Sequence, residues 1–149
     1  ELNKREKIIF PYFYDKEGNL VRINEETFSK RFPNTAKHLN KYSKELSRRK
    51  SDKNISWFEY GRSQALNSMN KPKLLLSIIV TGNIKPYFLS ADTIPYSGIF
   101  IIPKKDWNLD KAKKILESKA FLTYIKSVGI NASGDSYRIT SKDISNYYF

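Results

Sequence analysis

Apolar residues gather in short runs along this chain, and the period of the runs changes as the chain proceeds. "KIIFPYFY" (7–14) reads as a buried strand that Pro11 confines to an edge or a bend. "DKEGN" is a turn with Gly18 as its permissive residue, and "LVRI" (20–23) is the returning strand. "NEETF" carries the marks of a helix start, with Asn24 as cap and Glu25 and Glu26 in the electropositive first turn. Pro33 interrupts it and opens a longer helix over roughly 33–50. There Ala36, Leu39, Tyr42 or Ser43, and Leu46 recur at three-to-four spacing as a narrow core stripe.

"WFEYGRSQALN" (57–67) follows neither period. Trp57 and Tyr60 are expected to close a core corner, with a binding edge as the alternative. Gly61 permits a close backbone approach or a positive φ, and Ser63 can cap a helix starting at "SQALN". Next, "KLLLSIIV" (73–80) reads as one strongly buried strand. "PYFLSA" (86–91) and "SGIFIIP" (97–103) are two more, with turn chemistry at Gly82-Asn83 and Pro95. "NLDKAKKILESKAFLTYIKSVG" (108–129) is helical, capped by Asn108, stopped at Gly129 and divisible at Ser118. "DSYRIT" (135–140) is a last strand and "SKDI" (141–144) a short capped turn. This order predicts an α+β fold: a largely antiparallel sheet, peripheral helices and a helical pair near the C-terminal end. One domain over 1–149 is expected.

Composition removes several function classes. At 149 residues, 40% hydrophobic and 14% aromatic, the chain is long enough for one continuous core. No apolar run approaches the roughly 18 residues of a membrane helix, so no membrane partner is expected. "ELNKREK" does not open a signal peptide. The absence of cysteine excludes thiolate metal sites and fits a cytoplasmic protein, and the single His38 argues against zinc or a histidine triad. The only methionine is Met69 and the chain opens on Glu1, so it is expected to be a part excised from a longer protein.

The charge is the strongest global signal. Lys and Arg number 27 against 15 acidic residues, a net +12, which favours polyanion partners. Ten tyrosines and nine phenylalanines tilt the choice toward nucleic acid, because aromatic faces stack on bases. Lys37, Lys41, Lys44 and Arg48 step by four, three and four along the predicted helix, and Arg49, Lys50 and Lys53 follow. Between residues 30 and 53 nine basic residues face only Glu45 and Asp52, a net +7. These seven cations are expected to track a phosphate backbone, a solvated helix face being the alternative. Arg62 can bind guanine or phosphate bidentately, and Gln64 an adenine edge or a backbone amide, with Ser63 between them. "NASGDSYRIT" (131–140) is either a plain turn or a DNA-facing loop in which Ser133, Ser136 and Arg138 contact the duplex.

Catalytic readings are weaker. "KPYF" (85–88) lacks the leading polar residue and the first proline of the tetrapeptide used by amino-methyltransferases, and the six glycines form no G-x-G. "ESK" (117–119) mimics the Glu-x-Lys of metal-dependent nucleases with Asp106 or Asp110 upstream, but residues two apart on a helix do not face each other. No catalytic, cofactor-binding or metal-ligating residue is therefore assigned. A metal-dependent nuclease using Asp110 and Glu117, and a protein-interaction module for an acidic partner or a methyltransferase subunit, are the rival readings.

Several segments together resemble the TaqI-like C-terminal specificity domain of N6-adenine DNA methyltransferases. They are "IIFPY", the acidic helix start followed by "FPNTAKHLNKYSKELSRR", "WFEYGRSQAL", "PKLL", "PYFLS" with "YSGIFII", and "NASGDSYRIT". Their order matches from about Lys7 to Phe149, and the pair Leu-x-x-Arg then Trp-x-x-Tyr-Gly-Arg-x-Gln is the most specific part. The resemblance implies a restriction-modification target recognition domain that docks on double-stranded DNA. The catalytic methyltransferase domain, upstream in the same chain, would bind S-adenosylmethionine and methylate an adenine flipped out of the helix. On this view the fragment needs no cofactor and has no methyltransferase activity by itself. Trp57 and Tyr60 would anchor the strand edge, and Gly61-Arg62-Ser63-Gln64 would leave it near the DNA side.

Overall fold

Three helices of the structure start at side-chain caps that the sequence carries. In the computed structural model, which describes residues 6–63, 65–104 and 107–148, Asn24, Asn108 and Ser118 each accept a backbone N–H three positions on. The distances are 2.8, 2.7 and 3.1 Å. Each satisfies one of the donors that a helix start leaves unpaired. The chain divides into two compact units, Glu1–Asn67 and Ser68–Phe149.

In the first unit β1 (Tyr12–Tyr14) pairs antiparallel with β2 (Leu20–Arg22), placing Tyr12 opposite Arg22. The strand is shorter than the apolar run 7–14, because Pro11 has no N–H to give the ladder. Next come α1 (Glu25–Arg31), α2 (Pro33–Asn40) and α3 (Ser43–Arg48). The expected single helix over 33–50 is thus broken at Lys41–Tyr42. Their N–H groups bond back to His38 and Leu39 carbonyls at 3.3 and 2.9 Å, a tightened three-residue spacing that ends the first helix. Ala36 and Leu39 do face the core, whereas Tyr42 is exposed. Phe28 and Phe58 stack in that core with ring centroids 4.3 Å apart and planes 5° from parallel, beside Ile23 and Trp57. Of the helix expected at "SQALN", the described residues show a 3-10 turn at Leu66–Ser68.

In the second unit "KLLLSIIV" is two strands in different sheets, β3 (Lys73–Leu76) and β4 (Ile79–Thr81), rather than one. Ser77 Oγ accepts the Ile79 N–H at 3.1 Å, a local alternative to the ladder, and Ile78 and Ile79 emerge exposed. β3 lies between β5 (Tyr87–Leu89) and β6 (Ile99–Ile101), both antiparallel to it. Gly98 makes that pairing possible: its φ is +116°, and an added Cβ would sit 2.6 Å from Leu76 O. α4 (Leu109–Leu116) and α5 (Lys119–Val128) divide at Ser118 as expected. Gly129 then passes in extended conformation straight into β7 (Ile130–Ser133). That strand was not expected: its Ile-Asn-Ala-Ser alternation is only four residues long, runs into the small polar residues around Gly134 and is exposed at every position. It pairs with β8 (Ser136–Arg138), which also pairs with β4. Thr140 and Asp143 form a reciprocal capping box at α6 (Ser141–Ser145). The core joins Leu74, Leu76, Val80, Leu116, Phe121, Ile125 and Ile139.

The fold is α+β, with three small antiparallel sheets among the described residues. Among the described residues no helix is long and apolar enough to cross a membrane.

Candidate nucleic-acid interface

The basic segment is held by what lies beneath it. Glu59, in the middle of "WFEYG", is 1% exposed. Arg22 on β2 grips both of its oxygens, Nε to Oε1 at 2.7 Å and Nη2 to Oε2 at 2.5 Å, and the Ser56 N–H donates to Oε2 at 2.7 Å. Burial pushes the Glu59 carboxyl up, but these hydrogen bonds and the Arg22 charge outweigh it and hold the group below the usual carboxylate range. Arg22 Nη2 also donates to Asn54 O at 2.6 Å, and Asn54 itself sits at φ +59°. One ion pair therefore clamps the 54–59 loop to the hairpin. Neither residue was singled out in the sequence, although an acid inside an aromatic run was the available signal.

Trp57 and Tyr60 are half-buried, and Phe58 between them is buried. Trp57 Nε1 donates to Glu25 Oε1 at 2.7 Å, and its ring meets Phe58 edge-on. Tyr60 donates its hydroxyl to Ile9 O and its backbone N–H to Tyr12 Oη, at 2.6 and 2.9 Å. Gly61 serves close approach: an added Cβ would lie 3.3 Å from both Lys50 O and Ser51 Oγ. Its carbonyl accepts the Asp52 N–H at 2.8 Å, and Asp52 Oδ2 accepts the Ser63 N–H at 3.2 Å. The chain after α3 is thereby laid against "YGRS", which is an irregular segment and not the expected strand edge.

The predicted cations are distributed unevenly. Lys37, Lys41, Lys44, Arg48, Lys50 and Lys53 are exposed. Arg49 is half-buried and donates Nη2 to Trp57 O at 3.1 Å, so the fold gives it an internal partner. The break at Lys41–Tyr42 removes the single helical face on which Lys37, Lys41, Lys44 and Arg48 were expected. Lys44 and Arg48 remain one turn apart on α3. With Asn40, Ser43, Ser47 and Trp57 they line a groove of about 360 Å³, a grouping that helical spacing did not reveal for Trp57. Arg62 is exposed, and Gln64 lies outside the described residues.

In the second unit the polar stretch 131–140 is a hairpin rather than a loop, with the tight turn at Gly134, φ +51°. Tyr137 packs inward, so the two-residue strand period turns Ser136 and Arg138 to the outer face. Arg138 stands between Ile79 and Ile130 in register, both exposed, while Ser136 and Thr81 hydroxyls are 2.6 Å apart. Ser133 is exposed at the bulge of β7.

Among acidic residues, Asp110 lies in the first turn of α4 and Glu117 caps its end, roughly 10 Å apart along the axis at 1.5 Å per residue. Glu117 pairs with Lys113. Among the described residues no group of three or more acidic, histidine or cysteine side chains is placed to hold a metal ion. Asp106 lies outside them.

No family model matches the chain, and no curated protein or solved structure matches it.

Proposed function

We propose that this chain is a sequence-specific, double-stranded DNA recognition domain of an adenine-N6 DNA methyltransferase in a restriction-modification system, non-catalytic by itself. The observation that carries this reading is the exposed basic segment of α2, α3 and the following loop. There a net +7 over residues 30–53 meets neutral hydrogen-bond donors and an indole in one groove. The segment order that resembles the TaqI-like specificity domain gives the reading its reaction context. Phosphate contacts come from Lys37, Lys41, Lys44, Arg48, Lys50 and Lys53. Base contacts come from Arg138 with Ser133 and Ser136 on the β7–β8 face, and from Arg62 with Ser63 and Gln64. The partner is a catalytic domain of the same cytoplasmic chain that binds S-adenosylmethionine; no chemical step falls to the residues described above.

The test is fluorescence anisotropy of a labelled random duplex across salt concentrations. Binding should weaken steeply with salt, the logarithm of affinity falling by roughly 0.9 per neutralised phosphate against the logarithm of salt. Lys44→Glu with Arg48→Glu should weaken binding to every sequence and flatten that slope. No duplex binding even at low salt would sink the reading and favour a protein-interaction module.

A further inference from the structure

The groove beside α3 has a composition that identifies a smaller ligand unit than "DNA". Lys44 and Arg48 stand four residues apart on α3, as do Ser43 and Ser47, so the two pairs form adjacent rows one helical turn long. Asn40, the last residue of α2, extends them at the helix break. Trp57 supplies the apolar wall, and its indole N–H is already occupied by Glu25. The indole can therefore offer ring surface but no further donor. None of the six lining residues is acidic.

Two cations alone would suit any anion. Three neutral donors beside them suit an anion with several acceptor oxygens, and the ring surface suits an uncharged, largely apolar neighbour of that anion. A nucleotide of a DNA strand has both parts in one covalent unit: a phosphodiester and its deoxyribose.

Resting on the DNA-binding reading above, we propose that this groove seats one sugar–phosphate unit of a DNA strand. The phosphate oxygens accept from Lys44 Nζ, the Arg48 guanidinium, Asn40 and the serine hydroxyls, and the deoxyribose packs against Trp57. The contact carries no base information, so it sets register on the duplex rather than sequence.

The chain has two tryptophans, so Trp107→Phe leaves Trp57 as the sole indole reporter. In that variant a random duplex is titrated at low salt while anisotropy of the labelled duplex and Trp57 emission are read together. Both signals should change with one midpoint. Asn40→Ala with Ser47→Ala, which removes no charge, should lower affinity for all sequences on the order of tenfold at an unchanged salt slope. Far-UV circular dichroism of the double variant should match the parent. If the duplex binds but Trp57 emission stays constant and the double variant binds like the parent, the groove assignment falls and DNA binding stands. If no duplex binds, the DNA reading falls and the groove assignment goes with it.

Discussion

Arg22 and Glu59, separated by 37 positions in the chain, form a two-pronged ion pair in which the carboxylate is inaccessible and the guanidinium side chain half exposed. The pair ties the β1–β2 hairpin to the loop that carries Trp57 and leads to Gly61, and through the contacts of those two residues it holds the chain from Arg49 to Asp52. The surface that would meet a polyanion is thus anchored by a buried anion.

Glu59→Gln should destabilise the first unit by about 1.5–3 kcal/mol, the range for losing hydrogen bonds to a charged group. The pH dependence gives a sharper check. A glutamate held below its ordinary value contributes stability above the unfolded pKa, near 4.3, and loses it as pH falls through the folded value. Urea melts from pH 7 to pH 3 should show this acid loss in the parent and a flatter limb in Glu59→Gln. An identical acid limb in both would remove Glu59 from the account.

Lys73 opens β3 fully buried, with Nζ donating to Ser90 O and Thr93 O at 3.0 and 2.9 Å. Burial lowers its pKa, opposed by the charge of Asp92. The buried ammonium costs stability at neutral pH, and that cost should fade as pH climbs from the depressed value toward the ordinary lysine value near 10.4. Lys73→Met should lack this rise. The same variant should quicken hydrogen exchange of amides 90–97, because the two carbonyls lose their tether. Unchanged exchange there would show the loop held by other means.

Gly61→Ala should cost about 1 kcal/mol by crowding Lys50 O and Ser51 Oγ, the lower end for overpacking. Because the displaced segment is basic, duplex affinity should fall together with the melting midpoint. A variant as stable as the parent would mean that residues 49–51 yield freely.

Arg138→Ala should reduce discrimination between a cognate site and single-base variants by about 1–3 kcal/mol, the worth of a bidentate base contact. Lys53→Glu should instead weaken all duplexes alike. Equal losses on every sequence for Arg138→Ala would make it a phosphate contact. Arg62→Ala is sorted by the same comparison.

Local signals in the sequence decided the caps at Asn24, Asn108 and Ser118, the helical pair and the β1–β2 turn. Each depends on a side chain and a backbone group within a few residues, so spacing suffices to see it. The α+β class followed from the order of those elements. The cationic character of residues 30–53 was equally legible, since charge is a property of composition.

Tertiary structure alone decided what those residues face. "KLLLSIIV" has apolar residues on both sides of Ser77, and nothing in its period shows that the Ser77 hydroxyl divides it between two sheets. β7 is exposed at every position, so no buried face marks it, and it becomes a strand because β8 offers it a ladder. The basic helix breaks at Lys41–Tyr42, so a stripe drawn on one cylinder becomes a groove shared by Asn40, Lys44, Arg48 and Trp57. Glu59 finds Arg22 only once the hairpin and the loop are brought together. Burial and pairing are relations between distant segments, whereas charge, capping and propensity belong to the residue and its near neighbours.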